Sequence, residues 1–199
     1  YPFETTVLAV IVSLITMSFS FASGVSVYAA KRLIDYKLAL GFLMISIPTA
    51  LIASLLAPSL DDRIILTLYA LLVLGVAASL YRPKPATETM PMRKSKWIMT
   101  SIGGFTTGSA SVGIGEVVMP QLISRRVNSA VAAGTSVFVV FLTVLASSLT
   151  LGSQLSQRTD IAIPWNVICY TVPGVLIGSQ IGPRLQGLIP KRTFELAIA

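Results

Sequence analysis

Long uncharged stretches of apolar residues dominate the sequence, and short charged segments separate them. A helix needs roughly 18 or more predominantly apolar residues to cross a bilayer. The pattern therefore predicts an all-α, polytopic membrane protein. Its predicted membrane-spanning helices cover residues 5–30, 38–57, 64–81, 129–151 and 163–182.

Residues 97–124 depart from this pattern, because they form a 28-residue segment that contains five glycines. Such a segment is too long for one plain span and too short for two. If it enters and leaves on one side, as a re-entrant and broken helical hairpin, 13 of the 15 Lys and Arg residues lie on that side. If it crosses the membrane once, the split is only 9 to 6. Cytoplasmic loops are enriched in positive charge, so the hairpin is favoured.

Matching residues recur along the chain at a constant offset of 125 positions. Because the hairpin reverses the orientation of the second half, this offset predicts two inverted-topology repeats, which are typical of secondary transporters. Residues 1–81 form the predicted first repeat, 82–96 a basic cytoplasmic linker and 97–199 the second repeat. By the same offset, we expect the sequence to lack the N-terminal hairpin of the first repeat and most of the last helix. The matching pairs are Asp35/Asp160, Pro48/Pro173, Leu51/Leu176, Ile52/Ile177, Ser54/Ser179, Pro58/Pro183 and Leu60/Leu185.

The composition agrees with a membrane protein and argues against a nucleic-acid partner. Charged residues make up 12% of the chain, compared with about 25% in a soluble domain. The net charge of +7 comes largely from Lys and Arg in the segments between the predicted spans. The positive-inside rule explains that distribution without any contact to nucleic acid.

The sequence lacks the residues that familiar enzyme mechanisms need. It contains no histidine, which excludes Ser-His catalysis within the chain. It has no Cys/His cluster that could hold zinc and no Walker loop that could bind nucleotide phosphates. We therefore expect no enzymatic activity, no catalytic residue, no metal and no cofactor.

The candidate chemistry lies in the glycine-rich part of the predicted hairpin. Clustered small residues break a helix there, and a second half-helix is predicted to begin near residue 113. The free N–H groups and the dipole at its start favour an anion, and irregular backbone at membrane depth is tolerated where it is buried or lines a wet cavity. The alternative is a packing kink without a ligand. The predicted substrate-binding residues of this segment are Ser111, Gly113, Ile114, Gly115 and Glu116, with Pro120 as a structural part of the motif.

Glu116 is the acidic residue that lies well inside an apolar segment. An ionisable group in the membrane is costly and indicates function by default. A carboxylate beside an anion site repels the anion, which leaves two roles for Glu116. Either it is protonated when the substrate binds, which couples transport to protons, or it caps the free N–H groups of the half-helix.

Thr135 and Ser136 lie about one third of the way into the predicted span at 129–151. Their hydroxyl groups are candidates for the substrate site. The alternative is a hydrogen bond from each hydroxyl to the helix carbonyl four residues earlier, which is common for buried Ser and Thr.

Gly174, Gly178 and Gly182 form two overlapping G-x-x-x-G steps on one face of the predicted span at 163–182. Small residues of this kind let helices approach closely in lipid. They indicate either a dimer contact or tight packing inside one protomer. We favour packing inside one protomer, because Ala53 and Ala57 occupy the matching positions in the first half.

The combined pattern resembles the TauE/SafE sulfite exporter family of bacterial and archaeal membrane proteins, over nearly the whole chain. Gly113, Gly115 and Pro120 resemble the core of the family motif, and residues 133–136 read Ala-Gly-Thr-Ser where the family often has Ala-Thr-Ser. The small-residue helix at 174–182 is similar as well. The chain departs from the family at Glu116, where a run of glycines is common.

The resemblance implies a secondary transporter of small sulfur-containing or organic anions, such as sulfite, thiosulfate or sulfonates, in a prokaryotic plasma membrane. It also implies two inverted halves with a hairpin each and the substrate between the hairpin tips. A passive anion channel and a non-transporting membrane assembly subunit are the alternatives. The expected partners are a small anionic substrate and the lipid bilayer; a homo-oligomer is left open, although the sequence does not favour one.

Overall fold

The described part of the chain is built from helices and short connections. This computed structural model describes residues 6–61, 63–67, 70–71, 74, 92–156 and 165–185, and these residues contain no β-strand. The protein is therefore all-α in this part, as the sequence predicts. The helices are α1 (Thr6–Ala30), α2 (Tyr36–Leu56, continued by a 3₁₀ turn at Ala57–Ser59), α3 (Met92–Ala110), α4 (Ile114–Ser124), α5 (Ser129–Ser156) and α6 (Trp165–Leu185).

Three of these helices are long and apolar enough to cross a membrane, namely α1, α5 and α2 with its 3₁₀ extension. The chain is accordingly a membrane protein. The fourth, α6, has 21 residues but is less apolar than these three. Most of the predicted span at 64–81, the linker up to residue 91 and the last helix lie outside the described residues, apart from a helical stretch at 63–67.

Side chains at the ends of the helices explain where α2 and α5 begin. The carboxylate of Asp35 accepts the N–H groups of Lys37 and Leu38, both at 3.0 Å, and so caps α2. The amide oxygen of Asn128 accepts the N–H of Ala130 at 2.9 Å at the start of α5. Both residues satisfy N–H groups that lack a partner within the helix.

The basic turns that follow α1 and α4 have the same backbone geometry. Arg32 and Arg126 adopt the left-handed conformation, with φ of 54° and 61°. After the first of them, Leu33 donates its N–H to the carbonyl of Tyr28 at 2.9 Å, and an equivalent bond closes α4. This arrangement is a Schellman motif, which ends a helix by satisfying its last carbonyl groups.

Polar contacts show that α2 and α5 run parallel. The hydroxyl groups of Ser46 and Thr143 lie 2.9 Å apart. Further along both helices, Gln154 Nε2 donates to the carbonyl of Ser54 at 3.3 Å. Interhelical hydrogen bonds of this kind hold helices together in a bilayer, where lipid tails are as apolar as the side chains.

The packing of α1 against α5 is antiparallel. Gly24 lies against Val137, whereas Gly152 lies near the side chain of Ile11. Residues from the end of one helix therefore meet residues from the beginning of the other. A Cβ atom at Gly24 would lie 3.4 Å from the side chain of Val137, which is an ordinary van der Waals contact.

On its other side, α1 packs in parallel against α6. The hydroxyl groups of Thr16 and Thr171 lie 3.4 Å apart. Further along, Gln180 Nε2 donates to the Ser23 hydroxyl at 2.6 Å and to the Ser23 carbonyl at 3.3 Å. The helices matched by the 125-residue offset, α1 with α5 and α2 with α6, thus run in opposite directions. An inverted repeat requires this arrangement, and the repeat itself stays a prediction.

The segment α3–α4 is a helical hairpin. Gly103 of α3 lies against Ile114 and Val117 of α4, so the chain doubles back after the break. The guanidinium of Arg125, just after α4, lies 5.8 Å from the ring centre of Phe42 in the first turns of α2. The hairpin therefore returns to the end of the bundle where α2 begins. Its first helix starts five residues before the predicted position 97, because the Met, Arg and Lys residues there are good helix formers.

The apolar core lies between α1, α2, α4 and α5. Ile114, Val118 and Leu122 of α4 are fully or almost fully buried in it. Their spacing of four residues places all three on one face of the helix. Phe42 of α2 and Val139 of α5 lie in the same core and are also fully buried.

The closest helix contacts at glycines involve α3, whereas the sequence predicted them for α6. A Cβ atom at Gly104 of α3 would lie 2.8 Å from the carbonyl oxygen of Ser46, and one at Gly108 would lie 2.9 Å from the Cβ of Ala53. In contrast, no described residue lies within 4 Å of a Cβ at Gly174 or Gly178.

The tight packing predicted for the glycines of α6 is therefore absent among the described residues. The helix meets α1 through Thr171 and Gln180 instead, which leaves Gly174 and Gly178 exposed. The surroundings of Gly182, the third member of the motif, are outside the described part.

Candidate functional site

The break between α3 and α4 consists of residues 111–113. Ser111 has a left-handed conformation with φ of 57°, and its N–H donates to the carbonyl of Thr107 at 3.0 Å. Gly113 has φ of 135°, where an L side chain would be strained. The helix thus breaks in the glycine-rich segment that the sequence indicates, and α4 begins one residue after Gly113.

Thr107 connects the two sides of this break. Its hydroxyl group accepts the N–H of Ile114 at 3.0 Å and donates to the carbonyl of Gly103 at 2.7 Å. The side chain is almost completely buried. The sequence interpretation missed Thr107, because its partner lies seven residues away and is reached only when the chain doubles back.

The N-terminus of α4 keeps free N–H groups. Its cap residue, Gly113, has no side chain to accept a hydrogen bond, and Thr107 satisfies only the N–H of Ile114. The first N–H groups of a helix have no acceptor within the helix. In the described part of the chain, the N–H groups of Gly115 and Glu116 consequently remain available to a ligand, and the helix dipole favours an anion there.

A cavity of about 400 Å³ lies against this N-terminus. Most of its lining is apolar, and its ionisable groups among the described residues are Glu116 and Tyr28. No Lys or Arg contributes to the described lining. The lining includes Met17, Phe21 and Tyr28 from α1, residues 111–116 and Met119 from the hairpin, and Ser136, Val137 and Val140 from α5.

Six of the seven predicted substrate-binding residues line this cavity: Ser111, Gly113, Ile114, Gly115, Glu116 and Ser136. The hairpin contributes five of them and α5 contributes one. The structure therefore brings together two segments that the sequence interpretation placed at one site. Pro120, the predicted structural residue, is exposed on α4 and does not line the cavity.

Thr135 is the member that lies apart from the cavity. It is fully buried, and its hydroxyl group accepts the N–H of Asp35 at 3.0 Å. It therefore stabilises the start of α2. The neighbouring Ser136 donates to the carbonyl of Ala132 at 2.7 Å, as the alternative interpretation of the sequence proposed, while its side chain also borders the cavity.

Ser111 is a nearly buried residue that lines the cavity. The residue is only 6% exposed. Its backbone N–H is bonded to Thr107, but its hydroxyl group has no hydrogen-bond partner among the described residues. Its oxygen is not among the fully buried polar atoms without a partner, so the hydroxyl group is open to the cavity and available to a ligand or water.

The carboxylate of Glu116 is exposed at the cavity. It lies in the first turn of α4, and no described residue forms a hydrogen bond or an ion pair with it. The capping role is therefore not realised in this conformation, although a carboxylate in the first turn still interacts favourably with the helix dipole.

A second cavity, of about 340 Å³, lies between α1 and α5. Its polar lining residues are Ser18 and Ser148, whose hydroxyl groups lie 3.2 Å apart. Ser18 also donates to the carbonyl of Leu14 at 2.8 Å. Because these hydroxyl groups already have partners, the cavity at the helix break is the better candidate for a polar ligand.

The fold and this cavity define a helical membrane protein with a broken hairpin whose free N–H groups border a cavity. The family model described as sulfite exporter TauE/SafE matches residues 2–199. The chain belongs to this family, which is a family of membrane transporters and not of enzymes.

A relative in Bacillus subtilis (strain 168) is named probable membrane transporter protein YjnA. It is 31% identical to the chain over 103 residues, which are 49% of this chain and 39% of that protein. The match thus spans less than half the length of the relative. No solved structure matches the chain.

Proposed function

We propose that the protein is a secondary transporter of small sulfur-containing or organic anions, such as sulfite, thiosulfate or sulfonates. The observation that carries the proposal is the N-terminus of α4, whose free N–H groups at Gly115 and Glu116 border the 400 Å³ cavity. Such N-termini of broken helices receive anionic groups of substrates in transporters. Membership of the TauE/SafE family supports the same class of function.

Two alternating arrangements of the repeats would expose this cavity to either side of the membrane in turn. The opposite directions of α1 and α5 support an inverted repeat, in which one half moves against the other around a fixed site. The basic turns at Arg32 and Arg126 lie at one end of the bundle. By the positive-inside rule this end is cytoplasmic, and we place the protein in a prokaryotic plasma membrane as a multi-pass protein.

Glu116 is the proposed coupling group. Its carboxylate is the acidic group in the described lining, it has no partner in the described part, and it lies in the same helical turn as the anion-binding N–H groups. A proton on this carboxylate removes its repulsion of an anion. Substrate and proton would then bind together.

The test is flux into liposomes that contain the purified protein, with labelled sulfite, thiosulfate and an alkanesulfonate, with and without a pH gradient. We expect saturable flux that responds to the gradient, and a loss of this response in Glu116→Gln. Ser111→Ala should raise KM by about tenfold or more, the value of one hydrogen bond to a charged group. The control is Ser109→Ala, because the Ser109 hydroxyl donates to the carbonyl of Phe105 at 2.9 Å within α3.

Each alternative function has a distinct result in this assay. Flux that does not saturate and ignores the pH gradient would identify a passive anion channel. A protein that carries none of the three anions above the level of empty liposomes would overturn the transport proposal and favour an assembly subunit. A pH response that survives in Glu116→Gln would show that another group couples the proton.

A further inference from the structure

The charge balance of the cavity allows a class of substrate beyond plain anions, and this inference rests on the proposed transport function. Hydrogen-bond donors and a carboxylate occur within the same turn of α4. The donors are the free N–H groups of Gly115 and Glu116, and the acceptor is the exposed Glu116 side chain. No basic side chain in the described lining balances that carboxylate.

The hydroxyl group of Ser111 is a second and independent sign of a ligand. It belongs to a residue that is 6% exposed, it borders the cavity, and it has no hydrogen-bond partner among the residues described. Ser111 also adopts a left-handed conformation with φ of 57°. Non-glycine residues in this conformation are enriched at ligand sites, where the surrounding structure maintains them.

A plain anion binds at this site only together with the proton proposed for Glu116, because the ionised carboxylate repels an anion and no cation in the described lining offsets that repulsion. A ligand that carries both charges avoids this conflict. Its acid group can accept hydrogen bonds from the helix N-terminus and from Ser111, while its ammonium group faces the carboxylate of Glu116. Charge-assisted hydrogen bonds of both kinds are stronger than neutral ones.

We propose that the cavity binds a small zwitterion, with a sulfonate or carboxylate at the N-terminus of α4 and an ammonium group at Glu116. The helix rises about 1.5 Å per residue, so two or three carbon atoms are sufficient to separate the two charged groups. The side chains of Met17, Phe21 and Met119 line the same cavity and give these carbon atoms an apolar surface.

The experiment compares four probes in the liposome assay at pH 7. These are 2-aminoethanesulfonate, 2-hydroxyethanesulfonate, 3-aminopropanoate and sulfite. The first two differ only in the ammonium group, so their ratio of kcat/KM isolates its contribution. The first and third share the ammonium group and the two-carbon spacing, so they identify the acid group.

We expect the aminosulfonate to exceed the hydroxysulfonate by about tenfold or more in kcat/KM, the value of one charge-assisted hydrogen bond. In Glu116→Gln this ratio should fall towards one. In Ser111→Ala both probes should weaken by the same factor, because both carry the acid group. Ser109→Ala should leave all values unchanged, since its hydroxyl group is bonded within α3.

Transport of either zwitterion in preference to the hydroxysulfonate supports the inference, and the better of the two identifies the acid group. Equal transport of the amino and hydroxy probes, or a ratio unchanged in Glu116→Gln, would overturn the inference while transport itself stands. Failure to carry any probe, sulfite included, would instead count against the proposed transport function.

Discussion

The hydroxyl oxygen of Thr107 lies 3.0 Å from the backbone nitrogen of Ile114, on the opposite side of the helix break. This bond joins the end of α3 to the first residue of α4. Because the same hydroxyl group also donates to the carbonyl of Gly103 at 2.7 Å, its orientation is determined by α3. The beginning of α4, with its free N–H groups, is thereby held at a defined place beside the cavity.

Thr107→Val should loosen the hairpin, because valine has nearly the same shape and cannot accept the N–H of Ile114. The expected loss is about 1–3 kcal/mol, the cost of a buried N–H without an acceptor. Thermal unfolding in detergent measures the stability, and the KM of substrate uptake measures the position of the N-terminus.

Thr106→Val is the matched control for this substitution. The Thr106 hydroxyl group donates only to carbonyl groups of its own helix, at Ile102 and Gly103. Thr106→Val should therefore change the stability and the KM much less than Thr107→Val does. If the two variants have equal effects, the hydrogen bond from Ile114 to Thr107 has no special role in the hairpin.

Gly108→Ala should destabilise the protein by about 1–3 kcal/mol, the usual cost of overpacking a tight contact. The added Cβ would lie 2.9 Å from the Cβ of Ala53 and would also meet the backbone carbonyl of Ala50. Both neighbours belong to α2, so α3 would have to move away. The melting temperature of the purified protein in detergent measures this effect.

Gly178→Ala in α6 should not destabilise the protein, in contrast to Gly108→Ala in α3. No described residue lies within 4 Å of the added methyl group, and alanine favours a helix over glycine by about 1 kcal/mol. The melting temperature should stay constant or rise slightly. A strong loss of stability in Gly178→Ala would mean that a partner packs on this face of α6.

Thr135→Val should affect stability rather than substrate affinity. The Thr135 hydroxyl group accepts the N–H of Asp35 at 3.0 Å, and the residue does not line the cavity. We expect a loss of about 1–3 kcal/mol for the unpaired N–H and an unchanged KM.

The control for this prediction is Thr150→Val on the same helix. The Thr150 hydroxyl group donates to the carbonyl of Ala146 at 2.9 Å, four residues earlier, and should contribute little. If Thr135→Val changes the KM clearly and leaves the stability unchanged, Thr135 contributes to substrate binding, as the sequence predicted.

The re-entrant hairpin predicts which positions a membrane-impermeant thiol reagent reaches from each side. Single cysteines replace exposed residues in a Cys169→Ser background, because Cys169 is itself exposed. Lys37→Cys and Arg126→Cys should react from the same side, and Ser59→Cys from the other side. Labelling of positions 126 and 59 from one side would show that residues 97–124 cross the membrane once.

Several features of the fold could be predicted from local sequence alone. The end of α1 and the start of α5 follow from where charged or capping residues interrupt an apolar run, as Asn128 does before α5. The break near Gly113 follows from clustered glycines, since few other residues adopt its φ of 135°. These helix ends and this break depend on residues that are neighbours in the sequence, so a sequence pattern is sufficient to predict them.

The role of each polar side chain at the candidate site could not be predicted in the same way. Thr107, Ser111 and Thr135 are all buried hydroxyl residues, and the sequence does not distinguish their partners. Their hydrogen bonds depend on which backbone group lies opposite after the helices have packed. The same reason explains why the glycines of α6, although regularly spaced, are exposed while Gly104 and Gly108 are in close contact.

An all-α membrane protein with a broken hairpin can be predicted from the chain alone, because the length of apolar runs and the placement of charges and glycines are local quantities. The packing of the helices is needed to show that Ser111 and Glu116 share a cavity with Ser136 and that Thr135 instead supports the start of α2. Those assignments depend on the parallel packing of α2 and α5, which brings together residues about 100 positions apart.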